Sequence, residues 1–476
     1  MPRHGLAGLS VLVQESTSGR PSVTLMPHCN FSLSAPHTMK LKIKTCLKFS
    51  GALALGLSLS APAFAINGYF LLGYGAKQLG MAGAGVALPQ DRIVGALNPA
   101  GMALVAPGFD VGLGVMHPIR GGEIDCRGIG ACDREVADSS RREIFGVPNM
   151  GYSRRLADGS TLGITLYANG GLNSTYDRAL YEEAIARITG AMGGKATITD
   201  KLGVDFGQFV LAPSLSKSFG PVALGVGPLV QLQRFKAYGF GAFSGLSKDP
   251  GSLSDRGSEY LFGGGVRGGA IWTVTPSLSL GVEVSSPIYM EKSTKYNGLF
   301  AEDGGFDVPA HFTVGLAQKL LPTLTIAFDY QKIFFGDVGA LGNPAPTAAE
   351  FLGVITPERR FGGSKGIGFG WRNQDVYRLG LLWKPGGHWQ WRVGYSQCSS
   401  QITTDAVLFN IPTPSVMSQK VTGGFTYEWD SGRAVSLGYM HGFDDERRAA
   451  QTVLFGAPAK LQAGGEIVEL AYHHRF

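Results

Sequence analysis

Beyond Pro107 the chain alternates apolar and polar residues with a period of two, segment after segment. In Thr323–Tyr330, Leu324, Ile326, Phe328 and Tyr330 share one face, and Thr323, Thr325, Ala327 and Asp329 share the other. In Trp389–Ser396, Trp389, Trp391, Val393 and Tyr395 oppose Gln390, Arg392, Gly394 and Ser396. Leu162, Ile164, Leu166 and Ala168 line up in the same way. Such alternation marks strands with one apolar face. A membrane barrel gives it, with lipid outside and lumen inside, and so does a soluble β-sandwich. No run after Pro107 approaches the roughly 20 apolar residues that a membrane helix needs.

The connections separate the two folds. Asp158-Gly159, Gly220-Pro221, Thr275-Pro276, Leu321-Pro322, Gly386-Gly387 and Asp430-Ser431-Gly432 each sit in a short turn between strand-like segments. Between these hairpins lie mostly much longer connections, near 120–145, 171–205, 236–256, 291–307, 336–373, 399–416 and 445–465. Short and long connections therefore alternate, as the periplasmic turns and outer loops of a bacterial barrel do. Counting segments gives fourteen strands: 108–119, 146–156, 159–170, 206–219, 221–235, 257–274, 277–290, 308–320, 323–335, 374–385, 388–398, 417–429, 433–444 and 466–476. Trp383, Trp389, Trp391 and Trp429 cluster beside short turns, where an interfacial girdle belongs. Phe476 ends the chain in register with Val468, Leu470, Tyr472 and His474, as a barrel-assembly signal would. The fold expected is all-β: a transmembrane antiparallel β-barrel of about fourteen strands.

The stretch from Ile66 to Pro107 fits neither pattern. Its glycines and alanines make poor strand, and so much glycine makes poor helix. It ends in Asn98-Pro99-Ala100-Gly101, where Pro99 fixes φ and Asn98 can hydrogen-bond nearby backbone. We read residues 66–107 as an N-terminal hatch inside the barrel formed by residues 108–476, with 98–101 as the gating element. Ahead of it, Lys40, Lys42, Lys44 and Lys48 precede the apolar run Phe49–Leu59 and the Ala63-Phe64-Ala65 cleavage pattern, so 39–65 reads as a signal peptide. Residues 1–38 form an upstream extension with no assigned role.

Composition agrees. Charged residues are 16% of the chain and glycine accounts for 70 of 476 residues, sparse charge and heavy glycine for a soluble enzyme. The net charge of +6 comes mostly from residues 1–65; without them 36 basic and 35 acidic residues remain, and nothing favours nucleic acid. One loop, Tyr176–Met192, has helical periodicity. Leu180, Tyr181, Ile185, Ile188 and Met192 make its apolar stripe, which either meets an arriving ligand or packs on the barrel rim. Cys126 and Cys132 are placed for a small disulfide loop or for two free thiols, and Cys398 is left over.

Catalytic patterns do not survive inspection. Gly362-Gly363-Ser364-Lys365-Gly366 fits G-x-S-x-G but lies in a long loop rather than between strand and helix. Gly263, Gly265 and Gly268 fit a dinucleotide fingerprint, yet the segment continues as strand. His473 and His474 point to opposite faces, and His117, His311, His388 and His441 are scattered. We expect no enzyme, no cofactor and no metal.

With these features in hand, the chain resembles the FadL-type outer-membrane transporters of long-chain fatty acids and other hydrophobic compounds. The likeness rests first on Leu79 to Ala87, Asp91 and Asn98-Pro99-Ala100-Gly101-Met102. It continues in Val308-Pro309-Ala310 with Thr313-Val314-Gly315-Leu316, in Trp371 to Gly380, and in Ile411-Pro412 before Val421. It implies a monomeric, hatch-filled barrel in the outer membrane of a Gram-negative bacterium, inserted by the barrel assembly machinery and surrounded by outer-membrane lipid. It further implies passive uptake of a hydrophobic small-molecule ligand by surface capture, hatch rearrangement and lateral release. The family's carboxylate-binding cations have no clear counterparts here, so fatty acid and uncharged hydrocarbon both stay open. A general diffusion porin for small polar solutes is the alternative, an outer-membrane lipase needs a Ser/His/acid set that is missing, and an adhesin role for the loops could coexist with transport.

Overall fold

A computed structural model describes residues 67–129, 135–141, 144–188, 201–430 and 432–476. The signal-peptide segment 39–65 and the extension 1–38 lie outside the described residues.

Fourteen strands form the barrel. They are β1 Gly108–Ile124, β2 Phe145–Arg155, β3 Thr161–Tyr176, β4 Leu202–Phe219, β5 Val222–Tyr238, β6 Glu259–Thr275 and β7 Leu278–Ser285. β8 His311–Leu321, β9 Leu324–Ile333, β10 Gln374–Gly386, β11 Trp389–Cys398, β12 Gln419–Glu428, β13 Arg433–Ala449 and β14 Ala459–Arg475 complete it. Two short ribbons, Val136–Ser139 and Tyr289–Met290, pair beside β1 and β6. Every neighbouring pair is antiparallel, and β14 closes on β1 from Gly108↔Arg475 to Ile124↔Ala459. Closure leaves no unpaired sheet edge facing lipid, which is what allows strands to cross a membrane.

The alternation read from the sequence sets the faces. On β1, Val111, Leu113 and Val115 are exposed, whereas Asp110 and Met116 are buried toward the lumen. On β9 Phe328 points out and Asp329 in; on β11 Trp391 and Val393 point out and Arg392 and Ser396 in. Trp383, Trp389, Trp391 and Trp429 are exposed near the short turns and are joined there by Trp272. Trp389 and Trp391 stack with ring centres 5.4 Å apart. Phe476 continues the outward face of β14 and packs against Phe109 and Tyr152.

Three expectations need correction. Several strands run further outward than their alternation suggested: β1 and β14 have 17 residues each. At ~3.3 Å per residue and a tilt near 40° they rise about 40 Å, well beyond an apolar band of about 25 Å, so their outer ends stand clear of lipid and carry no lipid-facing signal. The strand expected over 277–290 stops at Ser285; Pro287 has no N–H for the ladder, and Tyr289–Met290 resumes pairing with β6 in a shifted register. The helix expected over 176–192 starts only at Leu180, because Tyr176 still belongs to β3, and is described as far as Ile188.

Residues 67–107 fill the lumen. Apart from short helical turns at Ala76–Leu79, Arg92–Ala96 and Pro99–Ala103 they are irregular, and nearly all are buried. They can sit there because many strands turn a glycine inward where the segment passes. At Gly225 on β5, an added Cβ would lie 2.4 Å from the Ala100 nitrogen.

Candidate functional site

The N-terminal segment is tied to the wall by polar side chains from strands all around the barrel. Asp329 on β9 accepts hydrogen bonds from the backbone N–H groups of Gly85 (2.8 Å) and Val86 (3.0 Å) through one oxygen. Asn98 does three jobs. Its Oδ1 accepts from Ala100 N at 3.0 Å, capping the Pro99–Ala103 turn with Pro99 as the first residue, which lacks the donor that position cannot use. Its Nδ2 donates to Val86 O at 2.9 Å and to the β6 and β7 carbonyls of Ala270 and Val282, each at 3.3 Å. Val86 is thus held by its N–H from one side and by its carbonyl from the other. Arg267 on β6 donates to Ala96 O at 2.5 Å while paired with Glu283 at 3.1 Å. Arg92 pairs with Asp110 at 2.7 Å, and His473 binds the same carboxylate at 2.8 Å. Arg392 reaches Gln90 at 2.7 Å, and Thr422 takes Ala82 N–H at 2.9 Å.

Above this segment the outer halves of the strands and the loops enclose an aromatic cavity. It is a narrow space between closely packed rings, lined by Leu172, Phe206, Phe235, Phe300, Phe306 and Trp371, among others. Phe235 and Phe300 lie 4.7 Å apart, Phe300 and Phe306 also 4.7 Å, and Phe206 stacks on Phe306 at 5.0 Å. Tyr69, near the start of the described N-terminal segment, meets the rings of Phe206, Phe335 and Trp371. Phe369 links this cavity to a second apolar one nearer the outside, lined by Phe240, Phe243, Leu299 and Phe409. Neither has a charged lining residue among the described residues.

The wall itself has a break. β1 pairs with β2 as far as Met116↔Phe145, but β2 pairs with β3 only as far as Asn149↔Tyr167. Residues 145–148 therefore have β1 on one side and no rung to β3 on the other; Pro148, which has no N–H, marks the divergence. β3 is irregular at the same height, between Ala168 and Gly170. From inside, the N-terminal residues occupy the vacant edge: Leu71 N–H donates to Asn169 O and Gly171 N–H to Tyr69 O, around the Phe70↔Gly170 bridge. At Gly170 an added Cβ would lie 1.8 Å from Tyr69 O, so only glycine allows that approach.

The residues singled out in the sequence fall as follows. Asn98, Pro99, Ala100 and Gly101 are together and buried in the lumen. Leu180, Tyr181 and Ala184 are buried, and Ile185 packs against the same core. Tyr181 donates to Leu408 O at 2.7 Å and meets Phe243 edge-on at 4.8 Å, so the helix backs the outer cavity rather than lining it. Ile188 is the last described residue of the helix, and Met192 lies outside the described residues. Cys126 is disulfide-bonded, Cys132 lies outside the described residues, and Cys398 is free and buried, 3.1 Å from the Lys420 amine. The lumenal ties Arg267, Glu283 and Arg392 were not recognised as a set, although each is a charge on the inward face of an alternating strand. The cavity aromatics gave no local signal.

Glu182 on the outer helix titrates in an unusual range. Partial burial, with Asp255 adding repulsion, pushes its carboxyl up to about 7. The docked helix therefore favours the protonated acid, and its docking loses stability as pH rises from the ordinary carboxylate range through 7. Hydrogen exchange over 180–188 is expected to show less protection at pH 8 than at pH 5.5 after correction for intrinsic rates, and Glu182→Gln to remove the difference.

Comparisons with known proteins place the fold. No family model matches the chain, and no curated protein matches it. Among solved structures, the toluene transporter TodX of Pseudomonas putida is similar over 85% of this chain and 99% of its own, with 15% identity and a TM-score of 0.59. A FadL homologue of Pseudomonas aeruginosa matches over 86% and 100%, also with 15% identity and a TM-score of 0.59. The toluene transporter TbuX of Ralstonia pickettii matches over 85% and 99%, with 14% identity and a TM-score of 0.53. At such identities the likeness is one of fold: the chain has the barrel architecture of these channels.

Proposed function

We propose that this protein is an outer-membrane channel for passive uptake of hydrophobic compounds, synthesised with the signal peptide 39–65 and inserted as a monomer. The observation that carries the reading is the aromatic cavity above the N-terminal segment, with no charged lining residue among the described residues. A greasy molecule leaving water gains about 0.8 kcal/mol per CH₂ buried. A water-filled pore offers none of that gain; rings that part to admit a ligand offer most of it, and contacts spread over two linked cavities keep each stop weak enough to leave. The ligand would be captured among the loops, pass between the rings to Tyr69, and leave sideways through the break between β2 and β3 once residues 69–71 withdraw.

The lining favours an uncharged hydrocarbon over a fatty acid, since a carboxylate would find no cation there. Two of the similar structures are described as toluene transporters, and the same ligand class suits this cavity. The filled lumen weighs against a porin, which needs an open aqueous path.

The test is uptake of labelled toluene and of a labelled long-chain fatty acid by a Gram-negative host lacking its own hydrophobic-uptake barrel, with and without this protein. Saturable toluene uptake is expected, reduced several-fold by Phe306→Ala together with Phe300→Ala. Steady ion conductance with neither ligand transported would instead promote the porin.

A further inference from the structure

Beside the break in the wall lies a third pocket, distinct in chemistry from the two aromatic ones. It is a small pocket between β1, β3, β13 and β14, with Ala463, Gly464, Gly465 and the exposed Glu466 of β14 completing its lining. Met116, Leu172, Met417 and Met440 give it an apolar, adaptable wall. Set into that wall is Asn173, 2% exposed, with neither Nδ2 nor Oδ1 hydrogen-bonded. Leaving both ends of a buried amide unmet costs about 1–3 kcal/mol per group, so such an arrangement points to a partner that arrives from outside the chain. Arg120, 3% exposed, also lines the pocket, its guanidinium 5.7 Å from the Phe145 ring centre. Leu172 and Asn173 lie on β3 five and six residues beyond its last rung to β2 at Tyr167, and Met116 is opposite Phe145, where β2 begins. The pocket therefore stands beside the break.

We propose that this pocket is a head-group site for hydrophobic molecules that carry a hydroxyl, an alcohol or a phenol, and that it selects them at the exit. An asparagine amide with donor and acceptor both free is matched by a group that is itself both: the hydroxyl hydrogen goes to Asn173 Oδ1, and its oxygen accepts from Asn173 Nδ2. The methionines take the hydrocarbon body. A bare hydrocarbon satisfies neither end of the amide, and a carboxylate leaves Oδ1 unmet. The inference rests on the uptake reading and adds a preference that the aromatic cavities cannot supply.

The test compares uptake of labelled dodecane, dodecanol and dodecanoate by cells expressing the wild-type protein or Asn173→Leu, each corrected for cells without it. Wild type is expected to favour dodecanol over dodecane about tenfold. In Asn173→Leu dodecanol uptake is expected to fall about tenfold, with dodecane changed less than twofold. Folding is checked by the mobility of the unheated barrel on a denaturing gel. If the variant does not assemble, the wild-type ratio alone decides. Equal uptake of dodecane and dodecanol by wild type, a ratio unchanged in Asn173→Leu, or a preference for dodecanoate over dodecanol would each overturn the head-group site while leaving the uptake reading standing; a bound water meeting the amide would give the first two. No saturable uptake of any of the three would sink the uptake reading itself.

Discussion

Gly225→Leu is expected to give a barrel that assembles but conducts ions steadily, because the N-terminal segment can no longer seat. The Cβ of any side chain at this position would fall 2.4 Å from both the Ala100 nitrogen and the Pro99 carbonyl carbon, and the contact is with backbone, which cannot swing aside. Either β5 bends outward, breaking rungs to β4 and β6, or Pro99–Ala103 lifts away from the wall. The second is the cheaper course, since the wall is a closed hydrogen-bonded ring and the segment is held by separate contacts. Lifting it also frees Asn98 from the strands. Gly264→Leu on the neighbouring strand is the control: it lies on the outward face and an added Cβ there has its nearest neighbour 4.0 Å away. Recordings in planar bilayers should show steady current for Gly225→Leu, and little for wild type and Gly264→Leu. A silent, correctly assembled Gly225→Leu would mean that the segment has room to shift without opening a path.

The strands were legible in the sequence because each carries its own information. On β9, Phe328 out and Asp329 in follow from two adjacent letters and a period of two. The turns at Gly220-Pro221 and Gly386-Gly387 were legible for the same local reason. What the alternation could not reach is whatever depends on several strands together. Phe206, Phe235, Phe300, Phe306 and Trp371 come from two strands and two loops, and nothing in any one stretch announces that their rings meet. The outer helix was visible as a stripe, but its direction was not: the stripe turns inward because Phe243 and Leu408 of other loops wait there. The break in the wall did leave a mark, Pro148 inside an otherwise regular strand, of the kind that demotes a strand to an edge. The Asn98-Pro99 pair was recognisable as a turn; its reach to Ala270 and Val282 was not, since those partners lie more than 170 positions away.

That reach makes Asn98→Ala the second large effect expected. The substitution removes the cap on Pro99–Ala103 and the bonds to Val86, Ala270 and Val282. The Nδ2 group has two hydrogens, so its three acceptors share two bonds; with the cap at ~1 kcal/mol and each of the two bonds about as much, roughly 3 kcal/mol of the closed state is lost, on the order of a hundredfold in its population relative to open ones. Asp329→Ala acts on the same residue from the other side, stranding the N–H groups of Gly85 and Val86 at a buried site. Each variant should raise bilayer conductance markedly while the barrel stays assembled. The double variant should not multiply the two effects: once Val86 is free at its carbonyl, its N–H has less fixed geometry to lose, and groups that share a partner couple by about 0.5–3 kcal/mol. Additive effects would mean that Val86 is no common anchor and that the two side chains hold separate parts of the segment. Sub-additive conductance, with toluene uptake faster in both single variants, would make the pinned Val86 peptide the point from which the lumen opens.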